Sequence, residues 1–328
     1  MESWDFLQSL GLDLSSLNVS RITHLQVSGI NGKLLEQPLP LGGFGISRYL
    51  LDRELYKIAR RAGVIVLENT KVNDVRFDGN EFLVEASAQF FKGAVVCASY
   101  GKRSNLDVSW KRPFISAIKN RLNNYVGVKY HVRGNYPSHV IALHNFKDGY
   151  CGLAKIEDDL FCLCYLTRAS NLKASKGILA EMERLVLAQN PCLKKILSES
   201  EPLFGEPVTI SQISFDKKSQ VEDHVLMIGD AAGMIAPLCG NGMSMALHGS
   251  KLAAGVIEHY LQGKIGREEM ELRYTQQWQQ QFSSRLRMGR RIQRIFGSRW
   301  LTNSLITLGK VFPGITRYLV KRTHGKPF

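Results

Sequence analysis

A chain of 328 residues with 44 % apolar and 22 % charged side chains is long enough for two ordinary domains, and this composition excludes a disordered protein. The net charge of +14 is concentrated at one end: no acid follows Glu271, while twelve Lys and Arg residues lie between Arg273 and Lys326. No apolar run reaches the roughly 18 residues of a membrane span, and no secretory signal opens the chain. Its six cysteines (Cys97, Cys151, Cys162, Cys164, Cys192 and Cys239) contain no CxxC and read as free thiols of a reducing cytoplasm. The eight histidines form no ligand-spaced cluster, so no metal site is expected.

In chain order, Trp4 to Leu7 and Leu10 predict a short amphipathic helix closed by Gly11. Residues 22–27 and 33–37 predict a hairpin turning at Gly29-Ile30-Asn31-Gly32. Leu51, Leu55, Ile58 and Ala59 recur at helical spacing, and Gly63 ends that helix. Val64-Ile65-Val66-Leu67 reads as a fully buried strand. A three-strand meander follows over 72–77, 81–86 and 88–91, with Asp78-Gly79-Asn80 as a turn, and then a buried strand over 93–98. Strands of an antiparallel sheet are expected at 126–132, 140–144, 149–156, 160–166 and 208–215, with a helix at 181–188. Cys162 and Cys164 lie two apart on one strand and share a face.

The stretch from Val225 to Met243 carries the chemistry. Val225-Leu226-Met227-Ile228 is a short buried strand, Gly229-Asp230-Ala231-Ala232-Gly233 follows at its carboxyl end, and Gly240-Asn241-Gly242 precedes a helix containing Met243, Met245, Leu247 and Leu252. A strand, an acid at its end and a glycine-rich helix start form the geometry of a nucleotide-cofactor site in an open α/β sheet. The acid accepts hydrogen bonds from hydroxyls, the small residues permit close approach of backbone, and the helix N-terminus attracts an anionic atom.

This motif resembles the second flavin-contacting motif of the FAD-dependent oxidoreductases that include geranylgeranyl reductases and class A flavin monooxygenases. The resemblance implies an α/β fold: a Rossmann-like FAD-binding domain of the glutathione-reductase type, with an antiparallel-sheet substrate domain and C-terminal helices. Its implied division is 1–108 and 216–265 for FAD, 109–215 for substrate and 266–328 as basic helices. FAD is the implied cofactor. Asp230 would bind a ribityl hydroxyl, Gly240, Asn241, Gly242 and Met243 would face the flavin's pyrimidine edge, and Val72 would lie near the adenine. Ser47-Arg48-Tyr49-Leu50-Leu51-Asp52 is similar to the family's segment in which an arginine meets the cofactor, which implies that role for Arg48. Tyr150, Cys151, Cys162 and Cys164 would line the substrate cavity, and no catalytic acid or base is implied.

Four departures qualify the likeness. The family's initial GxGxxG unit is not present: Gly42-Gly43-Phe44-Gly45 lacks the spacing, and on the order of 50–80 residues are missing relative to the family, judged from a βαβ unit and its connection. Ser99-Tyr100-Gly101-Lys102-Arg103-Ser104 has Tyr100 where the family usually has an acid, so direct reduction by NADPH is not implied. Tyr150-Cys151-Gly152-Leu153-Ala154-Lys155 matches neither the Tyr/Phe-x-Trp-x-Phe-Pro of geranylgeranyl reductases nor the Trp-x-Trp-x-Ile-Pro of flavin halogenases, and Gly233 replaces the His of many aromatic hydroxylases.

Past Gly263, two or three helices are expected. Tyr274, Trp278, Phe282 and Leu286 form an apolar stripe, and Phe312-Pro313-Gly314 is a break. The basic end is suited to an anionic membrane surface, or is a solvated helix face; no nucleic-acid motif accompanies it. The expectation is a cytoplasmic enzyme, peripheral at the membrane in one alternative, that acts on a hydrophobic isoprenoid, polyketide or quinone-like molecule. The second expectation is a truncated non-catalytic homologue that binds a lipid or a partner.

Overall fold

The computed structural model describes residues 1–116, 125–211 and 213–328. The chain divides into two compact units. The first comprises Met1–Gly63, Asn124–Ile213 and Gly289–Phe328, and the second Val64–Asn123 and Ser214–Met288. Elements are numbered in chain order.

The first unit contains α1 (Trp4–Ser9), β1 (Ser20–Ser28), β2 (Leu34–Gly45) and α2 (Arg48–Arg61). Its long strands are β7 (Tyr125–Arg133), β8 (Val140–Phe146), β9 (Gly149–Lys155) and β10 (Phe161–Arg168). Helices α5 (Ala169–Ala174), α6 (Leu179–Leu185) and α7 (Pro191–Glu199) follow, then the short strands β11 (Glu201–Pro202) and β12 (Val208–Ile210). Helices α10 (Arg299–Val311) and α11 (Pro313–Thr323) complete it. The sheet order is β11-β7-β10-β9-β8-β1-β2, with β12 also on β7. Only β1 and β8 run parallel. Strand alternation gives this sheet two different faces. Phe161, Leu163 and Tyr165 of β10 pack with Met182, Leu187, Leu193 and Ile196 in the core.

A buried polar knot joins β1, β8 and the start of α7. The side-chain amide of Asn190 donates to Ser28 Oγ at 2.8 Å and to the Asn145 carbonyl at 2.8 Å, and Ser28 Oγ lies 2.9 Å from His144 Nδ1. Asn145 Nδ2 donates to the Ser28 carbonyl at 2.9 Å. All four side chains are buried, so each depends on these partners.

The second unit contains the meander β3 (Val72–Phe77), β4 (Phe82–Ala86) and β5 (Gln89–Gly93), then β6 (Cys97–Ala98), α3 (Asn105–Ser109) and α4 (Pro113–Ser116). Later come β13 (Val221–Glu222), β14 (Val225–Met227), α8 (Gly242–Leu261) and most of α9 (Arg267–Ile295). The sheet β13-β14-β6 pairs β14 parallel to β6. Tyr274, Trp278, Phe282 and Leu286 of α9 are buried, as their spacing requires, and Tyr274 Oη donates to the Met227 carbonyl at 2.5 Å. A Cβ on Gly233 would stand 2.8 Å from the Trp278 ring and 3.3 Å from Leu286, which explains why no larger residue occupies that position.

Several expectations are corrected. Val64-Ile65-Val66-Leu67 is not a buried strand: it is irregular, with Val64 51 %, Ile65 83 % and Leu67 49 % exposed. An apolar run becomes a strand only when a neighbour satisfies its backbone, and no described strand pairs with this one. The ladder over 93–98 is confined to Cys97–Ala98 for the same reason, and that over 208–215 to Val208–Ile210. Helix α7, N-capped by Asn190 with Pro191 at its first turn, is a further element that the expectations did not include, although Leu193, Ile196 and Leu197 recur at helical spacing. The compact units also divide the chain differently from 1–108, 109–215, 216–265 and 266–328: β1 and β2 belong to the large sheet because β1 pairs with β8, and α9 through Met288 belongs with β14.

Burial pushes the His144 imidazole down to about 4, so the folded protein holds it neutral. The unfolded chain binds a proton there below about pH 6.5 and the folded chain only near pH 4, so this group withdraws stability as pH falls through that window, by about 3 kcal/mol in total. Urea denaturation at both ends of the window is expected to show a weaker pH dependence in His144→Gln than in the wild type; equal dependence would refute a buried neutral His144. Gly233→Ala is expected to cost about 1–3 kcal/mol through overpacking against Trp278, read as a lowered Tm.

Candidate functional site

The site of the second unit starts at the end of β14, whose three residues are buried. Leu226 N–H donates to the Val96 carbonyl and Ile228 N–H to the Ala98 carbonyl, each at 3.0 Å, which fixes the strand against β6. Gly229 then takes a φ of +62°, a turn that a side chain would oppose, and starts the 3-10 turn Gly229–Ala231 that carries half-buried Asp230. A second 3-10 turn, Pro237–Cys239, ends at Gly240 with φ +68°. Helix α8 begins at Gly242. Its N-cap residue Asn241 makes no side-chain capping bond, and Met243 in the first turn is partly exposed. The first N–H groups of this 20-residue helix are therefore left to another acceptor, and the helix dipole favours an anionic one.

Two buried cations organise the loops after β6 and β14. Arg112 Nη1 donates to Asp107 Oδ1 at 2.8 Å, and to Tyr100 Oη and the Ala231 carbonyl at 3.1 Å each. Its Nη2 donates to the carbonyl and hydroxyl of Ser219, both at 3.1 Å. Tyr100 Oη in turn donates to Asp107, so the residue in the acid's usual place joins an internal ion pair. Burial, with that bond to Asp107, pushes the phenol well above its ordinary range. Lys218 Nζ donates to the Lys102 carbonyl at 2.8 Å and the Asp230 carbonyl at 2.7 Å, and stands 4.5 Å from the centre of the Phe114 ring. Burial pushes its ammonium down to about 8, partly opposed by Asp107 and Asp230. Lys102, next to Arg103, is also lowered, first by burial and then by that neighbour.

The remaining expected site residues lie apart from this cluster in sequence. Val72 starts β3 and is exposed. In the first unit, Arg48 opens α2 beside the N-cap Ser47 and forks onto Asp52 at 2.9 and 3.1 Å, with 62 % of its side chain exposed. An exposed i,i+4 pair of this kind contributes about 0.5 kcal/mol or less, so it does not commit the guanidinium to Asp52. Tyr150, Cys162 and Cys164 share the face of the large sheet turned away from the helix-covered core, in register with Leu166, Ala154 and Gly152. Cys151 does not: it is fully buried in the core on the opposite face. The neighbouring Cys164 thiol pushes the Cys162 thiol below its ordinary range, burial opposes this, and Lys129 acts in the same sense as Cys164.

Sequence reasoning missed Arg112, Asp107 and Lys218. The Ser104-x-x-Asp107 spacing is a capping-box signal that was available, and both of its bonds are present on α3. Lys218 sits in a polar stretch and had no such signal. Among the described residues no group of three or more His, Cys, Asp or Glu is arranged to hold a metal ion.

No protein-family model matches the chain. It is 24 % identical over 257 residues to conditioned medium factor receptor 1 of Dictyostelium discoideum, a match covering 74 % of this chain and 49 % of that protein. A 75-residue stretch is 39 % identical to an uncharacterised protein of Methanocaldococcus jannaschii, covering 23 % of this chain and 19 % of that one. The chain thus spans about half, and in the second case about a fifth, of the curated relatives it matches. Among solved structures, the flavin-dependent brominase Bmp2 superposes with a TM-score of 0.76 at 15 % identity, over 98 % of this chain and 81 % of that one. The myxobacterial chondrochloren halogenase CndH gives 0.72 at 16 %, covering 97 % and 79 %. A probable FAD-dependent monooxygenase of Pseudomonas aeruginosa, pqsL, gives 0.70 at 15 %, covering 92 % and 86 %. The chain has the mixed α/β fold of flavin-dependent halogenases and monooxygenases.

Arg112→Met would leave Asp107 as a buried charge without its partner, at an expected cost of about 3–5 kcal/mol in urea denaturation. Arg112→Met combined with Asp107→Asn, which keeps a capping side chain but removes the charge, is expected to recover at least half of that loss. No recovery would mean that hydrogen bonding to the loop carbonyls, rather than the ion pair, dominates.

Proposed function

We propose that this chain is an FAD-dependent oxidoreductase, or the larger part of one, acting on a hydrophobic isoprenoid, polyketide or quinone-like substrate. The observation that carries the reading is the turn from β14 through Asp230 to the uncapped start of α8, set in a flavoenzyme fold. The residues present suit the cofactor. Asp230 is a hydroxyl acceptor for the ribityl chain, and the first N–H groups of α8 at Gly242 and Met243, after Gly240 and Asn241, suit the electron-rich pyrimidine edge. Lys102 and Arg103 supply positive charge in the loop after β6, which suits a pyrophosphate. Val72 offers backbone to the adenine, and the weakly paired Arg48 is a further anion-binding group. When bound, FAD supplies the hydride or oxygen transfer, and the protein's part is to bind and orient it and to keep water away. The small and apolar side chains of Ala154, Cys162 and Cys164 suit a hydrophobic substrate. Halogenation is not part of this reading, because the halogenase Trp-x-Trp-x-Ile-Pro motif is absent from the sequence.

We further infer that a GxGxxG strand–turn–helix outside these residues completes the pyrophosphate cradle. Two features support this: β14 is the only described ladder partner of β6, and the apolar run Val64-Ile65-Val66-Leu67 is exposed. A second reading, a non-catalytic homologue that binds a lipid or a partner, is supported by the relative in Dictyostelium being named a receptor.

The test is a visible spectrum of the purified chain after incubation with excess FAD and desalting. Flavin bands near one per chain are expected in this protein or in a version extended upstream, with Asp230→Ala weakening FAD at least about tenfold, the scale of one charge-assisted hydrogen bond. Bands only in the extended version would place the cradle outside these residues. Colourless protein in both forms would remove the FAD reading and leave the binding-protein alternative.

A further inference from the structure

Helices α10 and α11 of the first unit show an inverted pattern. The inward face of α10 carries Thr302, Ile306 and Gly309, all buried, and a Cβ on Gly309 would meet Thr316 at 2.6 Å and Leu35 at 3.2 Å. Thr316 of α11 donates to Gln37 on β2 at 2.7 Å, so the helix pair is fixed on that strand. The outward face carries the larger apolar groups: Trp300 is 75 %, Leu308 43 %, Val311 63 % and Phe312 56 % exposed. Residues 300, 308 and 311 fall within about 80° of arc on a helix, so these side chains form one stripe rather than scattered exposure. Among the described residues this stripe has no covering element.

The second observation is charge. Helix α11 exposes Arg317, Lys321 and Arg322, Lys310 precedes it, and no acid lies anywhere after Glu271. A cavity of about 310 Å³ is lined by Pro38 and Leu41 of β2 and by Arg317, Val320 and Lys321 of α11, which brings apolar and cationic groups to one opening. No helix is long and apolar enough to cross a membrane among the described residues.

We propose that the α10–α11 hairpin docks on the surface of an anionic phospholipid bilayer. Trp300, Leu308, Val311 and Phe312 enter the interfacial region, and Lys310, Arg317, Lys321 and Arg322 meet the headgroups. A bilayer offers apolar depth and negative charge together, and tryptophan with basic residues is the pairing that suits its interface. The inference is independent of the flavin reading, since none of these residues is assigned to the cofactor.

The experiment uses the full chain with phosphatidylcholine vesicles, with and without phosphatidylserine, read by co-sedimentation and tryptophan emission. Binding to the anionic vesicles is expected to be at least about tenfold tighter and to be lost at high salt. The emission should shift to the blue on binding, and Trp300→Phe should remove that shift. The triple variant Lys310→Gln, Arg317→Gln, Lys321→Gln should lower binding about tenfold or more with an unchanged Tm, because all three side chains are exposed. Equal binding to both vesicle types, no binding, or a blue shift that survives in Trp300→Phe would overturn the proposal. So would a wild-type dimer, without vesicle binding, that Val311→Ser with Phe312→Ser converts to monomer: the stripe would then belong to a second copy. Binding to RNA but not to vesicles would also overturn it.

Discussion

Arg112 is buried and donates to five acceptors: Asp107, Tyr100, the Ala231 carbonyl, and the carbonyl and hydroxyl of Ser219. The second unit depends on this arrangement. Its mixed sheet of β13, β14 and β6 is three strands wide among the described residues, and β6 is two residues long, so ladder hydrogen bonds alone hold the loops after β6 and β14 weakly. A buried guanidinium cannot stay unpaired, and Asp107 without it would be equally costly. The same need for partners that makes the pair expensive also makes it specific: both terminal nitrogens are matched to backbone or side-chain oxygens of the surrounding loops, while Nε makes no hydrogen bond and lies 3.3 Å from a Glu222 carboxylate oxygen. Lys218 repeats the device with the carbonyls of Lys102 and Asp230.

The first unit solves a different problem. A seven-strand path with one helix-covered face must specify its register, because a slip of one residue would exchange the two faces. The core residues of β10 set the faces by alternation, while the Ser28–His144–Asn145–Asn190 knot fixes strand against strand and the entry to α7. The reward is a face where Gly152, Ala154, Cys162 and Cys164 keep side-chain volume low. That suits an oily ligand, whereas the helix-covered face is filled by large apolar groups.

The two chemical themes of the chain, the turn at Asp230 with the helix start that follows it and a basic, apolar terminal hairpin, use the same physics at different depths. Around Asp230 the charges are buried or half-buried, so they act through fixed hydrogen bonds at short range. On α11 they are exposed and screened by salt, so only a surface of many negative charges gathers enough of them to matter.

The sequence by itself determined the local elements. The Gly229-Asp230 turn, the helix start at Gly242, the meander over 72–93, the stripe from Tyr274 to Leu286 and the break at Pro313 were legible because each is written in neighbouring residues. Periodicity, glycine and proline act over a few positions. What required tertiary structure was partnership. Whether Val64-Ile65-Val66-Leu67 becomes a strand depends on a neighbour that no local pattern announces. Likewise β1 joins the large sheet through β8, more than a hundred residues away, and Cys151 faces opposite to Cys162 only because of register. Arg112 and Lys218 read as ordinary surface cations until folding buries them. Burial, and the obligation it creates to satisfy each polar group, is a property of the assembled fold and not of any segment.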